Sequence, residues 1–268
     1  MSLRIGFIGD VVGVVGVRAV EQALGDLRRD HAIDQLIING ENASKGSGLT
    51  PGLFNRLIEA GADAVTLGDH VYRRAAIMKT LETDDRIARP ANLPEAAKGR
   101  RWIRLPLGDE ADGRSLFVLT VLGRAFIKLP ADDPFATIDQ MLAALPEPDP
   151  LVIVEVHAEA TAEKVALRWH LDGRVAAVVG THTHVATADA EVSEAGTAYI
   201  TDLGMSGPHD GVIGRRADRV LKHMTTAMPA PFDVAEGDLR INGAVIEVDP
   251  ASGRATGIER IEKRVTLD

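Results

Sequence analysis

Short apolar runs alternate with longer amphipathic stretches along the first third of the chain. The runs 3–8, 36–38 and 64–67 are rich in β-branched residues and predict buried strands. Apolar residues at helical spacing predict helices at 17–29 and 74–81. Strands that alternate with helices indicate βαβ units, whose right-handed crossovers build a largely parallel sheet.

A further helix start is predicted at Thr50-Pro51. Threonine is a favoured N-cap, and proline is well tolerated at the first helical position because its missing N–H has no partner there. Leu53, Leu57 and Ile58 continue the apolar face of this helix.

The same alternation continues through the middle of the chain. The runs 116–121, 151–156 and 175–179 predict strands, and 138–145 and 162–170 predict helices. These segments extend the βαβ pattern and favour an α/β fold.

The C-terminal part has a different pattern. The runs 239–248 and 255–265 predict two antiparallel strands joined by a turn at 250–253. Because no repeat, low-complexity tract or linker divides the sequence, we expect one domain over residues 1–268, with antiparallel strands at about 239–265.

Composition excludes several classes of site. With 30 Lys and Arg against 39 Asp and Glu the formal charge is −9, so we expect no stable nucleic-acid complex. The densest basic stretch, Lys98-Gly99-Arg100-Arg101, is short. The absence of cysteine excludes disulfides, zinc fingers, Fe–S clusters and thiol nucleophiles.

The sequence predicts a soluble protein of the cytoplasm. Asp10 interrupts the N-terminal apolar run, and no convincing cleavage pattern follows it, so we expect no signal peptide. Apolar runs such as 116–122 are far shorter than the roughly 18 residues that a membrane span requires.

Polar residues follow five of the predicted strands. Because the carboxyl ends of parallel strands share one sheet edge, where ligands bind, we expect these side chains to meet there. They lie in the segments Gly9-Asp10, Asn39-Gly40-Glu41-Asn42, Gly68-Asp69-His70, His157 and Gly180-Thr181-His182-Thr183-His184.

Carboxylates and imidazoles without thiolates are suited to iron, manganese, zinc, cobalt or nickel. The candidates exceed the needs of one ion, which points to two ions about 3.5–4 Å apart bridged by a carboxylate and a hydroxide. The seven candidate ligands are Asp10, Glu41, Asn42, Asp69, His157, His182 and His184.

Each candidate also has a structural interpretation. Asp10 alone is more often a helix cap or turn former, and His157 alone is more often a hydrogen-bonded buried histidine. Glu41-Asn42 could equally be a solvated loop. His182 and His184, if they continue a strand, would face the same side, which favours a ligand pair. Five coincidences at strand ends together favour a metal site.

Other sites are disfavoured, and one segment stays open. The segment 6–16 lacks the G-x-G-x-x-G spacing of a dinucleotide loop, the chain contains no P-loop, and no serine lies in a recognisable nucleophile elbow. His31, His170 and His223 are assigned structural roles. The Gly-rich segment 205–214 is either a loop over the active site or a turn.

The strand-end motifs resemble those of calcineurin-like metallophosphoesterases, and more narrowly of the YmdB-like branch. Beside Gly40-Glu41-Asn42, Gly68-Asp69-His70 and 180–184, further segments fit the pattern, so the resemblance covers essentially the whole chain. These segments are Ile8 to Gly13, Ile38 to Ala43, Arg89-Pro90-Ala91-Asn92, His157-Ala158-Glu159-Ala160-Thr161 and Asp202 to Pro208.

The resemblance implies a fold and a ligand set. The implied fold is a sandwich of two mixed β-sheets flanked by helices. Asp10, Glu41, Asn42 and His184 would hold the first metal. Glu41 would bridge to a second metal, completed by Asp69, His157 and His182.

The resemblance also implies a reaction, the hydrolysis of nucleotide phosphodiesters, with 2′,3′-cyclic nucleotides favoured. A metal-bridging hydroxide would attack, and His70 would act as general acid that protonates the leaving alkoxide. Two ions per chain are implied; we expect iron or manganese, with zinc as the alternative.

One residue departs from the family pattern, which usually has Gly-Asn-His where this chain has Asp69. Aspartate keeps a ligating oxygen, so we expect metal binding to persist. Its added negative charge would weaken the Lewis acidity of the metals and repel a phosphate dianion.

Two other functions stay open at this point: a phosphomonoesterase on the same site, and a regulatory metal- or nucleotide-binding module with weak hydrolysis. The expected partner is a small nucleotide phosphodiester as substrate, with no membrane. The family resemblance adds the expectation of a homo-oligomer.

Overall fold

Twelve strands and six helices make up the described part of the chain, residues 2–108 and 113–267, in a computed structural model. The helices are α1 (Gly13–Asp30), α2 (Pro51–Glu59), α3 (Ile77–Thr83), α4 (Pro134–Ala144), α5 (Thr161–Leu171) and α6 (Ala217–Thr226). The strands are β1 (Leu3–Ile8), β2 (Gln35–Asn39), β3 (Ala64–Thr66), β4 (Ile103–Pro106), β5 (Ser115–Leu122), β6 (Leu151–His157), β7 (Ala177–Thr181), β8 (Glu191–Val192), β9 (Ala198–Ile200), β10 (Gly207–Pro208), β11 (Leu239–Val248) and β12 (Ala255–Val265).

The strands form two mixed sheets. The first has the order β10-β11-β1-β2-β3, with β12 paired along β11, and its strands β1, β2 and β3 are parallel. The second has the order β4-β5-β6-β7-β9-β8, with antiparallel strands at both edges of a parallel centre. The predicted C-terminal hairpin pairs Leu239 with Val265.

The alternation of side chains along the strands shows how the two sheets pack. In β2, Ile37 contacts the second sheet, whereas Leu36 and Ile38 pack with the helices on the other face. In β5, Val118 belongs to the core between the sheets and Phe117 to the core under α4 and α5. Both faces of each central strand are therefore buried, which explains the uninterrupted apolar runs in the sequence.

The resulting architecture has four layers, with α1–α3 outside the first sheet and α4 and α5 outside the second. This confirms the two-sheet sandwich that the family resemblance implies. The expectation of a single shared sheet edge was wrong, because β1–β3 and β6–β7 belong to different sheets. A strand that is buried on both faces has the same apolar sequence whether the protein contains one sheet or two, so the sequence did not distinguish them. The carboxyl ends of β1–β3 and of β6–β7 nevertheless meet at one end of the sandwich.

Local signals predicted some element boundaries better than others. Thr50 caps α2 as expected, its side chain accepting the backbone N–H of Leu53 at 3.4 Å. The helix predicted at 74–81 begins only at Ile77, because turns occupy the preceding residues. α6 and the short strands β4 and β8–β10 were not predicted. None of the helices in the described ranges has the length and apolar character needed to cross a membrane.

The Arg89-Pro90-Ala91-Asn92 segment, part of the family pattern, supports the fold. The fully buried Asn92 amide donates to the carbonyls of Leu122 (2.8 Å) and Asp132 (3.0 Å) and accepts the Leu122 N–H at 2.8 Å. Arg89 is buried and donates to backbone carbonyls, including that of Ala97 at 3.1 Å. Asn92 thereby fixes both ends of the loop that follows β5.

We expect Asn92→Ala to lower the free energy of unfolding by about 2–3 kcal/mol, because it leaves buried backbone groups without partners. Urea unfolding monitored by circular dichroism measures this loss. Asn55→Ala, at an exposed position of α2, is the matched control and should change the stability by less than about 0.5 kcal/mol. Equal losses in the two variants would contradict the anchoring role of Asn92.

Candidate metal centre

Four of the predicted ligands form one compact cluster where the two sheets meet. The ligand atoms of Glu41, Asp69, His157 and His182 all lie within 4.8 Å of one another. His157 Nε2 lies 3.3 Å from both Glu41 Oε1 and Asp69 Oδ1, and 3.0 Å from His182 Nδ1. The last residue of β6 and the loops after β2, β3 and β7 thus deliver these groups to one place.

The three other predicted ligands adjoin this cluster. Asn42 Nδ2 lies 3.2 Å from Glu41 Oε1 and 3.2 Å from His184 Nε2. Asp10 follows β1, and its Oδ2 accepts the backbone N–H of His182 at 3.1 Å. Asp10 Oδ1 is buried and has no hydrogen-bond partner. The structure therefore brings all seven predicted ligands together.

Each of the three histidines has an oxygen behind it. His157 Nδ1 lies 2.9 Å from Thr181 Oγ1, and His184 Nδ1 lies 3.2 Å from the Ile213 carbonyl. His182 Nε2 lies 3.1 Å from a carboxylate oxygen of Glu159. With a metal bound, the ring proton of each histidine would lie on the nitrogen that faces this oxygen, and the other nitrogen would offer its lone pair to the ion.

His182 and His184 do not share the face of a strand, so that reason for expecting a ligand pair was wrong. β7 ends at Thr181, and both histidines have left-handed backbone, with φ of 93° and 68°, so they lie on a loop and do not alternate on a strand. Their side chains still reach the site because the intervening Thr183 is held. Its N–H and hydroxyl both donate to Asp202 Oδ2, at 3.1 and 2.7 Å.

A buried ion pair holds this loop in turn. Lys164 Nζ donates to Asp202 Oδ2 at 2.7 Å, and both side chains are at most 1% exposed. Removing either partner would leave an uncompensated buried charge, so the pair fixes the loop in one arrangement. Sequence reasoning missed Lys164, which looked like an ordinary helix-surface lysine; the helical spacing that buries it on α5 was the available signal.

His70 lies beside the cluster. Its Nδ1 lies 2.8 Å from Asn42 Oδ1, and its backbone N–H donates to Glu41 Oε2 at 3.0 Å. Its Nε2 lies 3.8 Å from Asp69 Oδ2, and about a quarter of the side chain is exposed. With Nδ1 occupied, Nε2 is the atom available for exchanging a proton.

The carboxylates of the cluster are ionised. Burial alone would raise the pKa of Glu41, but the charge of His157 and hydrogen bonds from His157 and His70 lower it well below its usual value. The pKa of Asp69 is lowered because hydrogen bonds from His157 and His182 outweigh its burial. Burial opposes protonation of His157, yet Glu41 and Asp69 raise its pKa well above the usual value.

A second layer of hydrogen bonds is centred on Glu155, a buried carboxylate that sequence reasoning missed. Its Oε1 accepts from Thr181 Oγ1 (2.8 Å) and from Asn39 Nδ2 (2.6 Å), and its Oε2 accepts from Thr120 Oγ1 (2.7 Å). Burial raises the pKa of Glu155. Thr181 connects it to His157, so one side chain orients residues of both sheets.

Gly68 shows how closely the cluster is packed. A Cβ at this position would lie 2.2 Å from His157 Nε2 and 2.3 Å from Glu41 Oε2, far inside contact distance. Only glycine lets the chain between β3 and Asp69 pass this close to the ligand atoms.

The segment 205–214 adjoins the centre. The backbone N–H of Met205 donates to the His184 carbonyl and that of Ser206 to the Asp10 carbonyl, while Ile213 accepts from His184. Of the histidines assigned structural roles, His170 lies 2.9 Å from Asp139, outside the cluster. His209, which was not considered, lies 3.2 Å from Asn242 Nδ2.

These residues fit a metal centre. The unpartnered Asp10 Oδ1, the histidine lone pairs and the carboxylate oxygens are hard and borderline donors of the kind that iron, manganese and zinc accept. Within the described ranges, Asp10, Glu41 and Asp69 form no ion pair with a lysine or an arginine, so metal cations are the natural counter-charge.

Comparisons with known proteins agree over nearly the whole chain. A sequence model of YmdB-like proteins matches residues 7–261. The 2′,3′-cyclic-nucleotide 2′-phosphodiesterase of Bacillus subtilis (strain 168) is 43% identical over 259 residues, which are 97% of this chain and 96% of that protein.

Solved structures show the same similarity in three dimensions. A hypothetical protein from Thermus thermophilus is 40% identical with a TM-score of 0.90, covering 98% of this chain and 99% of that chain. A structure described as a novel phosphatase from Mycoplasma pneumoniae is 28% identical with a TM-score of 0.91, covering 98% and 94%.

We expect Thr181→Val to weaken metal binding by about 10–100-fold, because His157 loses the oxygen that orients its ring. Competition with a chelator, followed by metal analysis of the protein, measures this change. Thr181→Ser keeps the hydroxyl and should retain nearly normal affinity. If the valine and serine variants bind metal equally well, the hydroxyl does not position His157.

We expect Asp69→Asn to retain its metal and to raise kcat/KM for an anionic phosphodiester by about threefold to tenfold. The amide oxygen can still ligate, and one negative charge beside the substrate is removed. Metal content and steady-state kinetics of the variant check both statements. A metal-free variant, or one with lower kcat/KM, would contradict the expectation.

Proposed function

This chain belongs to the YmdB-like protein family, and we propose that it is a metal-dependent phosphodiesterase that hydrolyses 2′,3′-cyclic nucleotides. It is a phosphoric ester hydrolase, like its relatives. The observation that carries the substrate assignment is the 43% identity, over nearly full length, to a 2′,3′-cyclic-nucleotide 2′-phosphodiesterase. Cleavage of the 2′ ester would leave a 3′-nucleotide.

Two ions per chain are proposed, iron or manganese before zinc. Asp10, Glu41, Asn42 and His184 would hold one ion, and Glu41, Asp69, His157 and His182 the other. When bound, the ions supply Lewis acidity, lowering the pKa of a water molecule and neutralising charge on the phosphate. The support is the donor set itself, in which an oxygen lies behind one nitrogen of each histidine and the other nitrogen faces the cluster.

His70 is proposed as the general acid. Asn42 Oδ1 accepts the Nδ1–H proton, which fixes the ring and leaves the proton on Nε2 for transfer to the leaving 2′ oxygen. Glu41 raises the pKa of His70 against the opposing effect of burial, so the ring is more readily protonated than an ordinary histidine. About a quarter of its side chain is exposed, which supports this role because a substrate could reach it.

We expect His70→Ala to lower kcat for 2′,3′-cyclic AMP by about 10²–10⁴-fold with the metal content unchanged at about two ions per chain. Chromatography of the products, together with metal analysis, measures both quantities. His31→Ala is the matched control, since His31 directly follows α1 at the far end of the first sheet.

Three outcomes would contradict parts of this proposal. Two ions without His70-dependent turnover would indicate a metal- or nucleotide-binding module. Faster release of phosphate from 3′-AMP than opening of the cyclic diester would indicate a phosphomonoesterase. Failure to bind metal after reconstitution with manganese or iron would refute the assignment of a metal centre.

A further inference from the structure

A groove of about 310 Å³ opens beside the candidate metal centre, and Asp69 is shared between the two. Its other lining residues are Tyr72 and Arg73, from the turn after His70, and Lys128 and Leu129, from the loop after β5. A cavity of this size is at the lower end of those that hold small ligands.

Two cations, Arg73 and Lys128, line this groove together with the carboxylate of Asp69. Arg73 and Lys128 are both exposed, and neither forms an ion pair with a carboxylate in residues 2–108 and 113–267. The ionisable groups that line the groove are thus two cations and one carboxylate, in a chain whose net charge is −9. Such a pair of cations is suited to a phosphate group.

The groove is built on anchored backbone. The Arg73 N–H donates to the carbonyl of His70 at 3.0 Å, so one turn carries both side chains. The loop with Lys128 is tied at its start by Gly123 N–H to the His157 carbonyl (3.0 Å) and near its end by Asp132 N–H to the Asn92 carbonyl (2.7 Å). Asn92, which binds both ends of the loop after β5, therefore also helps to position Lys128.

The structure of a cyclic nucleotide determines which of its ribose oxygens can carry a second phosphate. A nucleotide whose 2′,3′-cyclic phosphate lies at the metal centre has used both of these ribose oxygens. Its 5′ oxygen is the remaining ribose position that can carry a phosphate. A phosphate in the groove beside Asp69 would thus lie on the 5′ side of the same nucleotide.

We propose that Arg73 and Lys128 bind this 5′ phosphate, so that the preferred substrates are 2′,3′-cyclic ends of 5′-phosphorylated nucleotides or short oligoribonucleotides. This rests on the proposed phosphodiesterase function and narrows its substrate class. Two exposed cations recognise one phosphate at a chain end and do not hold a long nucleic acid, in keeping with the acidic composition.

The test compares three substrates: adenosine 2′,3′-cyclic phosphate, its 5′-phosphorylated form, and the dinucleotide ApA with the same cyclic end. We expect kcat/KM to be about tenfold higher for each phosphate-bearing substrate, mainly through KM. In the double variant Arg73→Ala/Lys128→Ala, the ratio to the unphosphorylated substrate should fall to about one. The advantage should also decrease as salt is raised.

Arg124→Ala is the matched control. Arg124 is an exposed cation on the same loop but does not line the groove, so the ratio should be preserved. A ratio of one in the wild type, or a high ratio that survives the double variant, would overturn the proposal. A higher kcat/KM for the 5′-phosphorylated nucleotide alone would show that the groove binds a terminal phosphate. An equally higher kcat/KM for ApA would show that the groove also binds a phosphodiester.

Binding separates this proposal from the proposed function. Calorimetry with adenosine 3′,5′-bisphosphate and 3′-AMP needs no turnover, and the bisphosphate should bind about tenfold more tightly to the wild type but not to the double variant. If the protein prefers the bisphosphate but hydrolyses none of the substrates, the proposed phosphodiesterase activity is refuted and phosphate binding in the groove is supported. Equal binding of both nucleotides would refute the groove, whatever the hydrolysis shows.

Discussion

The hydrogen bond between Asn39 and Glu155 joins the two sheets at the end of the sandwich where the site lies. Both side chains are fully buried, and a buried carboxylate is tolerated only if its oxygens accept enough hydrogen bonds. Glu155 meets this condition with donors from both sheets, and Asn39 Oδ1 in turn accepts the Glu41 N–H at 3.0 Å. The candidate ligands therefore lie on two sheets that this buried carboxylate links.

Charge is arranged in layers around this interaction. The inner layer is negative and has histidines as its protein partners, which makes it a site for cations. The layer behind it supplies an oxygen to each histidine, which would hold the ring proton on that side when a metal is bound. The buried Lys164–Asp202 pair performs a similar task for the loop of His182 and His184, since Asp202 accepts two hydrogen bonds from Thr183 between these left-handed residues. Rigidity of this kind keeps ligands oriented before a metal or a substrate arrives.

The sequence predicted which residues lie together better than the way in which they are held. Polar residues after apolar strands are a local signal, so the proximity of Asp10, Glu41 and His157 could be predicted directly. Glu155 lies inside the apolar run 151–156, and Thr181 lies in a strand-end segment whose histidines were taken as its functional residues. The roles of both depend on contacts between strands and between sheets, which local patterns do not encode. The single-sheet expectation failed for the same reason, because the burial of both strand faces does not reveal which layer covers each face.

Asp69 connects the centre to the groove and shows why both must be considered together. At this position the resemblance to the family leads one to expect asparagine, so the carboxylate adds a negative charge at the entrance for an anionic substrate. Arg73 and Lys128 line the same groove as Asp69 and offset that charge locally, although the whole chain is acidic. A substrate with a single phosphate is repelled by Asp69 and gains little from the two cations. A substrate that carries a second phosphate is also attracted to Arg73 and Lys128. The aspartate would then act as a selectivity element, penalising minimal substrates more than phosphate-bearing ones.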